Sequence, residues 1–547
     1  MSVQHSNHVP PIRLPFARPC LALVAAVALC SGRALAQCGP PVTAELTPAD
    51  PQFNGQYGVG IALDGDTLLV GRPIGPEGGA VYAYRDSGAG WTLEAQLPAP
   101  TVLINGSFGL NVDLDGDVAA IGGSTSLDKG YIARRSGTSW SIEATLTPLV
   151  PADAASFGVD VSIEGDWAVF GASQSNTPFA NGAGSVYVFH RASGVWGQHS
   201  VLHPSDADTG DQFGYSVELR NGVLVAGSMR WSSALPGRAA AHVYRLIGNA
   251  WTLEAVLQPT SAGVGSYYGR RVATDGSVVL VSDIGDTFET NNVGVIYAYR
   301  WDGTSWSEEQ QLRSAISGSH GYYGEELALE GDELATTANN AAGRVWHYRR
   351  VGGQWLELGV TTSTLSPGFS GWDVELDGSR LAVGSPTVDS GDLQSGAAYV
   401  FDVNGAALAC TYCTAKVNSE GCTPQIGFSG MASASAPSGF QLTATQMIAG
   451  KPGIFFYART ATAATAFGGG TLCMKNPIER TSVQFASGSG ACGGAYAFDF
   501  NAWIASGADP ALVAGEVVRG QFWGRDSGFS PPNNVGLSDA ISFVIAP

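Results

Sequence analysis

Three aspartates lie close together in a glycine-containing segment and form a candidate cation site. The segment reads Ser205-Asp206-Ala207-Asp208-Thr209-Gly210-Asp211. Calcium takes about six to eight oxygen ligands, which spaced carboxylates in a loop can supply. The same residue types form tight turns, because an aspartate accepts hydrogen bonds from its own loop. We favour the turn for Asp206, Asp208 and Asp211 and leave calcium binding open.

The histidines do not have the spacing of a catalytic or metal-binding set. After residue 36 they are His190, His199, His203, His242, His320 and His347. The zinc-protease, serine-nucleophile, phosphate-loop and dinucleotide motifs do not occur in the sequence. Carboxylate pairs that cleave glycosides are distant in sequence, so that chemistry stays open. We therefore predict no catalytic residue, no metal ligand and no cofactor.

The N-terminus has the pattern of a secretory signal peptide. Residues 1–36 contain three arginines, no acid, an apolar run over 21–29 and the tripeptide Ala34-Leu35-Ala36. A basic region, a short apolar region and an A-x-A site indicate cleavage after Ala36. A membrane span needs about 20 apolar residues, so the run is too short. We predict export to the extracellular space or the cell surface, without a membrane span.

Composition indicates a turn-rich β protein. Only 14% of residues are charged, against about 25% in an average soluble domain. Glycine accounts for 73 of the 547 residues, well above its usual share of about 7%. This excludes long solvated helices, and the 44% hydrophobic content allows a large core. Lys and Arg number 28 against 47 Asp and Glu. That acidic balance argues against a nucleic-acid partner.

The cysteines indicate disulfides concentrated in the last quarter of the chain. After the signal segment they are Cys38, Cys410, Cys413, Cys422, Cys473 and Cys492. An even number in an exported chain favours disulfides over zinc, although 15 pairings are possible. We predict Cys38–Cys410, Cys413–Cys422 and Cys473–Cys492.

A repeat of about 50 residues organises residues 42–403. Its anchors are an aromatic residue followed by Gly, at Tyr57, Phe108, Phe157, Phe213, Tyr268 and Tyr323, with a degenerate seventh at Phe369-Ser370. Each unit continues with an alternating strand, a tight turn with Gly, an apolar strand and an aromatic strand. A Trp-led strand ends six units, at Trp91, Trp140, Trp196, Trp251, Trp306 and Trp355. Their shared position favours packing between units over sugar stacking.

The seventh unit lacks its Trp-led strand, and the start of the mature chain offers a replacement. Thr43-Ala44-Glu45-Leu46 is similar to Glu143-Ala144-Thr145-Leu146 of the second unit. Leu46 precedes Tyr57 by the same spacing that separates Leu146 from Phe157. We predict that this strand completes the seventh unit, which would close a ring and hide the edges of its sheets.

The repeat resembles the FG-GAP repeat of integrin α-subunit propellers, in its bacterial secreted form with a short hairpin. The matching residues of the first unit are Tyr57-Gly58, Asp64-Gly65-Asp66, Val70-Gly71-Arg72-Pro73 and Gly79-Ala80-Val81-Tyr82. The resemblance implies a seven-bladed β-propeller that binds a ligand or matrix. Calcium binding is not carried over, because the hairpin replaces the family's longer acidic loop; Asp66, Asp117, Asp166 and Asp332 are interpreted as turn residues.

Residues 408–547 have no repeat and are predicted to form a β-sandwich with disulfides. The segment from Phe522 to Phe529, followed by Pro531-Pro532, resembles C-terminal modules of large secreted planctomycete-like proteins. Trp523, Arg525 and Asp526 are a candidate sugar-binding face, but a strand Trp more often fills a core.

The predicted fold is therefore all-β: a signal peptide (1–36), a seven-bladed propeller closed by an N-terminal strand (42–403) and a C-terminal β-sandwich (408–547). We predict a monomeric, non-enzymatic binding or adhesion protein whose propeller loops contact an extracellular protein or glycan. The alternatives are a polysaccharide-degrading enzyme with its active site in the channel, and a structural protein of the cell exterior.

Overall fold

A computed structural model describes sixteen stretches of the chain. They are 42–75, 78–100, 107–123, 129–150, 155–178, 180–205, 207–229, 239–259, 267–285, 294–313, 322–338, 343–362, 371–390, 392–403, 409–460 and 462–546. The predicted signal peptide (1–36) and Cys38 lie outside these residues. No helix in the described part is long and apolar enough to cross a membrane.

Four-stranded antiparallel sheets repeat along residues 42–403, and seven of them are present among the described residues. Sheet 1 contains β2 (Ile61–Asp64), β3 (Thr67–Arg72), β4 (Ala80–Asp86) and β5 (Trp91–Pro98). Sheet 2 contains β6 (Val112–Asp115), β7 (Val118–Ile121), β8 (Gly130–Ser136) and β9 (Ser139–Leu146). Sheet 3 contains β10 (Phe157–Glu164), β11 (Trp167–Ala172), β12 (Ser185–Ala192) and β13 (Val195–Leu202).

The remaining sheets follow the same order of strands. Sheet 4 contains β14 (Phe213–Arg220), β15 (Val223–Ser228), β16 (Ala240–Ile247) and β17 (Ala250–Leu257). Sheet 5 contains β18 (Tyr268–Thr274), β19 (Val278–Asp283), β20 (Val295–Trp301) and β21 (Trp306–Leu312). Sheet 6 contains β22 (Tyr323–Glu330), β23 (Glu333–Ala338), β24 (Arg344–Val351) and β25 (Gln354–Thr362). Sheet 7 contains β26 (Asp373–Asp377), β27 (Arg380–Ser385), β28 (Ala397–Asp402) and β1 (Val42–Leu46).

Sheet 7 takes its fourth strand from the start of the described chain. β1 pairs antiparallel with β28, with Leu46 opposite Ala398 and Glu45 opposite Tyr399. The other six sheets take all four strands from consecutive sequence.

Consecutive sheets share apolar cores. Between sheets 1 and 2, for example, Leu69 and Val81 pack with Phe108 and Ile121. Sheets 7 and 1 share a core of the same kind, in which Val400 packs with Tyr57. Each Trp that leads a fourth strand packs against the core shared with the preceding sheet, which confirms packing between units for these tryptophans.

In sheets 1 and 7 the next-to-last residue of the second strand must be glycine because the next sheet lies so close. A Cβ on Gly71 would collide with the carbonyl oxygen of Gly109, and one on Gly384 would collide with that of Gly58. The first of these approaches lies between sheets 1 and 2, and the second lies between sheets 7 and 1. Any side chain at these positions would force the sheets apart.

Residues 409–546 form two further sheets, a hairpin and one helix. The larger sheet contains β29 (Ala409–Tyr412), β39 (Val535–Val544), β38 (Val517–Arg525), β32 (Pro452–Ala458), β35 (Glu479–Arg480) and β36 (Gln484–Phe485). The smaller contains β30 (Gln425–Ser429), β31 (Gln441–Met447) and β37 (Gly494–Asp499). The hairpin is β33 (Thr462–Phe467) and β34 (Gly470–Met474), and the helix is α1 (Phe500–Ala505).

The two C-terminal sheets face each other across one core. Leu442 of the smaller sheet packs in the same cluster as Phe455, Phe522 and Phe543 of the larger. The sequence did not predict α1, whose N-cap is Asp499; the Asp499 carboxylate accepts a hydrogen bond from the Ala502 N–H at 3.1 Å.

Two predicted disulfide pairings are wrong. Cys413 is bonded to Cys473 and Cys422 to Cys492, across separations of 60 and 70 residues. Cys413 directly follows β29, and the fold brings it beside β34, so proximity in sequence misled the prediction. Cys410 is disulfide-bonded, and its predicted partner Cys38 lies outside the described residues.

The C-terminal sheets contact sheet 6 through a small apolar cluster. Leu356 of β25 packs with Val544, the last residue of β39, and with Ala546 just beyond it, and Val351 and Val517 lie at the edge of the cluster. The residue after the leading Trp is small or polar in the other five Trp-led strands, at Thr92, Ser141, Gly197, Thr252 and Ser307. Leu356 therefore marks sheet 6 as the docking position.

We expect Leu356→Asp to release the C-terminal region from sheet 6, because a carboxylate would be buried against Val544 and Ala546. Small-angle scattering should then show a larger radius of gyration, and limited proteolysis should cut faster between residues 403 and 409. Thr252→Asp, at the matching position of sheet 4, is the control and should change neither result. An unchanged scattering profile in Leu356→Asp would contradict the docking role.

Candidate functional site

Carboxylates at the end of the first strands hold neighbouring sheets together. The Asp64 carboxylate accepts a hydrogen bond from the Gly116 N–H of the next sheet. Equivalent bonds join Asp115 to Gly165, Glu164 to Asn221, Glu330 to Gly378 and Asp377 to Gly65. The last of these runs from sheet 7 to sheet 1.

A second row of such bonds lies further inside, at alternating positions of the same strands. Asp113 accepts the Ile163 N–H at 2.7 Å, Asp160 the Val217 N–H at 2.8 Å and Asp373 the Ile61 N–H at 2.7 Å. A first strand has no partner strand on its inner edge, so its N–H groups need other acceptors. We call these bonds the carboxylate clamps.

The second acid of each hairpin pairs within its own sheet. Asp66 lies 2.7 Å from Arg85, and Asp117 lies 3.3 Å from Arg135. The matching pairs are Asp166 with Arg191 and Asp332 with Arg350. These contacts confirm that the four aspartates are structural residues of the turn.

The acidic segment before Phe213 folds on itself. The Asp211 carboxylate accepts the Asp208 N–H at 2.7 Å, and that of Asp208 accepts the Thr209 N–H at 2.8 Å. Asp206 lies outside the described residues. Within the described residues, no group of three or more Asp, Glu, His or Cys has the geometry to hold a metal ion.

The first strands of all seven sheets line a cavity of about 290 Å³, which we call the inner cavity. It lies towards the start of these strands. A second cavity of about 400 Å³ lies towards their hairpin ends, and we call it the hairpin-end cavity. Glu218 and Glu375 line both cavities and therefore flank the region where the two meet.

The inner cavity has a highly charged lining. Its seven carboxylates and two arginines are Asp113, Asp160, Glu218, Glu325, Glu326, Asp373, Glu375, Arg270 and Arg271. Arg270 pairs with Glu325 at 2.5 Å, and Arg271 pairs with Glu326 through both carboxylate oxygens. Arg220, from the hairpin-end cavity, lies 3.1 Å from Asp113 and 3.2 Å from Glu218.

The carboxyl groups that outnumber the arginines favour their protonated forms. Burial raises the pKa of Glu218 to about 8, against the lowering effect of Arg220. Burial also raises the pKa of Glu375 well above its usual value, and repulsion from Asp113 and Glu218 raises it further. The pKa of Asp373 is likewise raised by burial and then by Glu326. The inner cavity is therefore short of positive charge.

Two aromatic residues lie in the wall of the inner cavity. The Arg270 guanidinium lies 4.6 Å from the centre of the Tyr215 ring, and that of Arg271 lies 5.6 Å from it. Trp372 lines the cavity and is 43% exposed. Val59 and Leu110 hold the equivalent positions in sheets 1 and 2, so Tyr215 and Trp372 depart from the repeat.

Sequence reasoning did not single out Glu218, Arg220, Arg271 or Glu375. The signal was present as departures from the repeat, because Ala62, Ala273 and Ala328 hold the position of Glu218 and Glu375 in sheets 1, 5 and 6.

None of the histidines that the structure describes lines either cavity. His190 stacks on Trp167 with ring centres 4.1 Å apart, and His199 meets the same indole edge-on. His347 lies 2.6 Å from Glu333. His320 lies outside the described residues.

The predicted sugar-binding face of the C-terminal region is not assembled. Asp526 is buried and accepts hydrogen bonds from the Ser419 N–H at 2.8 Å and the Gly528 N–H at 3.1 Å. Trp523 packs against an apolar cluster, with the Arg525 guanidinium 5.9 Å from its ring centre.

Comparison with known proteins identifies the repeat over part of the chain. A family model for the FG-GAP repeat matches residues 140–189 and 196–244, which span sheets 2 to 4. Together with the repeated four-stranded sheets, this match is consistent with a propeller. No curated protein matches the chain.

Two solved structures are similar at low identity. A chain of the Mitotic Checkpoint Complex is 10% identical with a TM-score of 0.42, covering 67% of this chain and 97% of that one. Sqt1 of Saccharomyces cerevisiae is 11% identical with a TM-score of 0.38, covering 66% and 99%. TM-scores below 0.5 support no conclusion about function.

The raised pKa of Glu218 gives a testable dependence of stability on pH. The native state holds this proton up to about pH 8, whereas an unfolded Glu loses it near 4.5. The stabilising contribution is therefore complete below about pH 4.5 and is lost as the pH rises to 8. We expect Glu218→Gln to unfold at higher urea than the wild type at pH 8, with a smaller difference at pH 5. Glu479→Gln, at an exposed position, is the control. If Glu218→Gln changed the urea midpoint by the same amount at both pH values, this interpretation of the Glu218 pKa would be contradicted.

Proposed function

We propose that residues 42–403 form a closed seven-bladed propeller and that residues 408–547 form a separate β-sandwich module. The junction of sheets 7 and 1 supports closure, because it repeats three features of the internal junctions. These are the clamps from Asp373 and Asp377, the shared core around Tyr57 and the close approach of Gly384 to Gly58.

A disulfide between Cys38, which precedes β1, and Cys410, which follows β28, would fasten the seam between these two strands of sheet 7. Cys410 is disulfide-bonded, while the other four described cysteines pair with one another. We expect a non-reducing peptide map of the exported protein to join the peptides that contain Cys38 and Cys410. The known pairs Cys413–Cys473 and Cys422–Cys492 provide the internal control. Recovery of Cys38 as a free thiol would reject the proposed fastening.

We propose that the chain is an exported, monomeric, non-enzymatic binding protein. The observation that carries this proposal is a difference between the two ends of the sheets. At the hairpin end, first and second strands are joined by two residues in six sheets and by three in sheet 5. At the other end, the connection from second to third strand ranges from the five residues 339–343 to the twelve residues 173–184.

A constant end beside a variable end is typical of a scaffold that presents binding loops. The carboxylate clamps support the same proposal, because many acids that could serve in catalysis are engaged between sheets. The disulfides and the FG-GAP repeats are typical of extracellular proteins. The expected ligand is an extracellular protein or glycan bound over the variable end.

An array of glycans and matrix proteins, probed with the full exported chain, tests this function. We expect reproducible binding to a limited set of ligands. Replacing residues 173–184 with the shorter segment 339–343 should reduce that binding at least about tenfold. Asp166→Asn, at the constant end, should leave it unchanged. If the chain binds no glycan and no matrix protein on the array, the proposal is overturned and a structural role is favoured.

One observation favours a second candidate, an enzyme acting on polysaccharide in the channel. A carboxyl with its pKa raised to about 8, as for Glu218, resembles the protonated acid of glycoside hydrolysis. Turnover of a polysaccharide by the wild type that is lost in Glu218→Gln would establish this candidate instead.

A further inference from the structure

We propose that the inner cavity binds a primary ammonium group carried on an unbranched alkyl chain. This inference rests on the proposed binding function and adds a ligand class for a second position, beneath the variable end. The charge balance is the first step. Arg270, Arg271 and Arg220 are each paired with a carboxylate, at Glu325, Glu326 and Asp113. Asp160, Asp373 and Glu375 are left without an arginine of their own.

Glu375 differs from Asp160 and Asp373 in its hydrogen bonding. Asp160 and Asp373 accept backbone N–H groups of the next sheet and serve as clamps. Glu375 accepts no hydrogen bond from the described residues, and its charged neighbours are Asp113, Glu218, Arg220 and Asp373. It is therefore a carboxylate that the scaffold does not use, at the place where the two cavities meet.

The aromatic wall supplies an independent reason to expect a cation. Tyr215 already holds the Arg270 guanidinium over its ring at 4.6 Å. Trp372 lines the same cavity, and no described cation lies over its 43% exposed side chain. Indole is the aromatic group that attracts cations most strongly. A ligand entering past Trp372 would thus meet an aromatic face first and Glu375 further in.

The size of the cavity limits the ligand. A volume of about 290 Å³ is just below the range of roughly 300–1,000 Å³ for ligand pockets, so one extended chain with its ammonium fits better than a branched molecule. The raised pKa of Glu375 supports the same ligand, because a bound ammonium takes the place of the proton that otherwise neutralises the carboxyl. On binding, the N–H groups of the ammonium donate to the Glu375 carboxylate, and the displaced proton leaves to solvent.

Titration calorimetry of the full chain with spermidine tests this proposal. We expect saturable binding at pH 7 that strengthens as the pH rises and releases protons, as measured in buffers of different ionisation enthalpy. Glu375→Gln should weaken binding at least about tenfold, and the exposed Glu479→Gln should not change it. If Glu375→Gln does not fold, Trp372→Ala tests the proposal in its place, and we expect it to weaken spermidine binding several-fold.

Two further probes identify the ligand class and its source. 1,6-Hexanediol, an uncharged chain, should not bind. N-acetyl-lysine methylamide presents the same ammonium as a protein side chain, and tighter binding of it than of spermidine would point to a polypeptide source. Equal binding of spermidine to wild type and both cavity variants, or binding of the diol, would overturn the proposal. If the chain binds ligands on the array but does not bind spermidine, the cavity site is rejected and the proposed binding function still holds.

Discussion

The first strands have backbone N–H groups along their inner edges without a partner strand, and at five of the seven junctions between the described sheets carboxylates of the preceding sheet accept them. Asp64, Asp113 and Asp373 illustrate the three levels at which this happens. An unpaired N–H shielded from water costs about as much as a lost hydrogen bond. The clamps remove that cost and fix the distance between sheets. The glycines of the second strands allow this distance to be short, because they have no side chain at the point of closest approach.

This constraint also determines where chemistry is available. An Asp or Glu side chain that accepts a backbone N–H and packs against the next sheet is not available for catalysis or ligand binding. Sheets 4 and 7 place Glu218 and Glu375 at the position that holds the clamp Asp113 in sheet 2. Sheets 5 and 6 place Arg271 and Glu326 at the position that holds the clamps Asp160 and Asp373 in sheets 3 and 7. The charged lining of the inner cavity is therefore a set of exceptions on a regular scaffold.

The sequence predicted the parts of the fold that depend on local chemistry. Turn glycines, apolar second strands and leading tryptophans recur at constant spacing, so the repeated four-stranded sheets could be predicted. Disulfide pairing could not, because Cys413 and Cys473 meet only after β29 and β34 take their places. The inner cavity was missed for a related reason. Glu218 and Glu375 belong to different units, and only the comparison of equivalent positions reveals that both stand where sheets 1, 5 and 6 have alanine.

The direction of the clamps has a consequence for the chain's connectivity. Every clamp runs from one sheet to the next in sequence, and the bonds from Asp373 and Asp377 of sheet 7 to Ile61 and Gly65 of sheet 1 have the same direction. The chain runs from β1 of sheet 7 into β2 of sheet 1, so this junction has the same peptide connection as the others, and the break in the chain lies between β28 and β1 within sheet 7. The ends of the chain therefore meet between the third and fourth strands of one sheet, and a circularly permuted gene that opens a different sheet at that position would encode the same set of contacts.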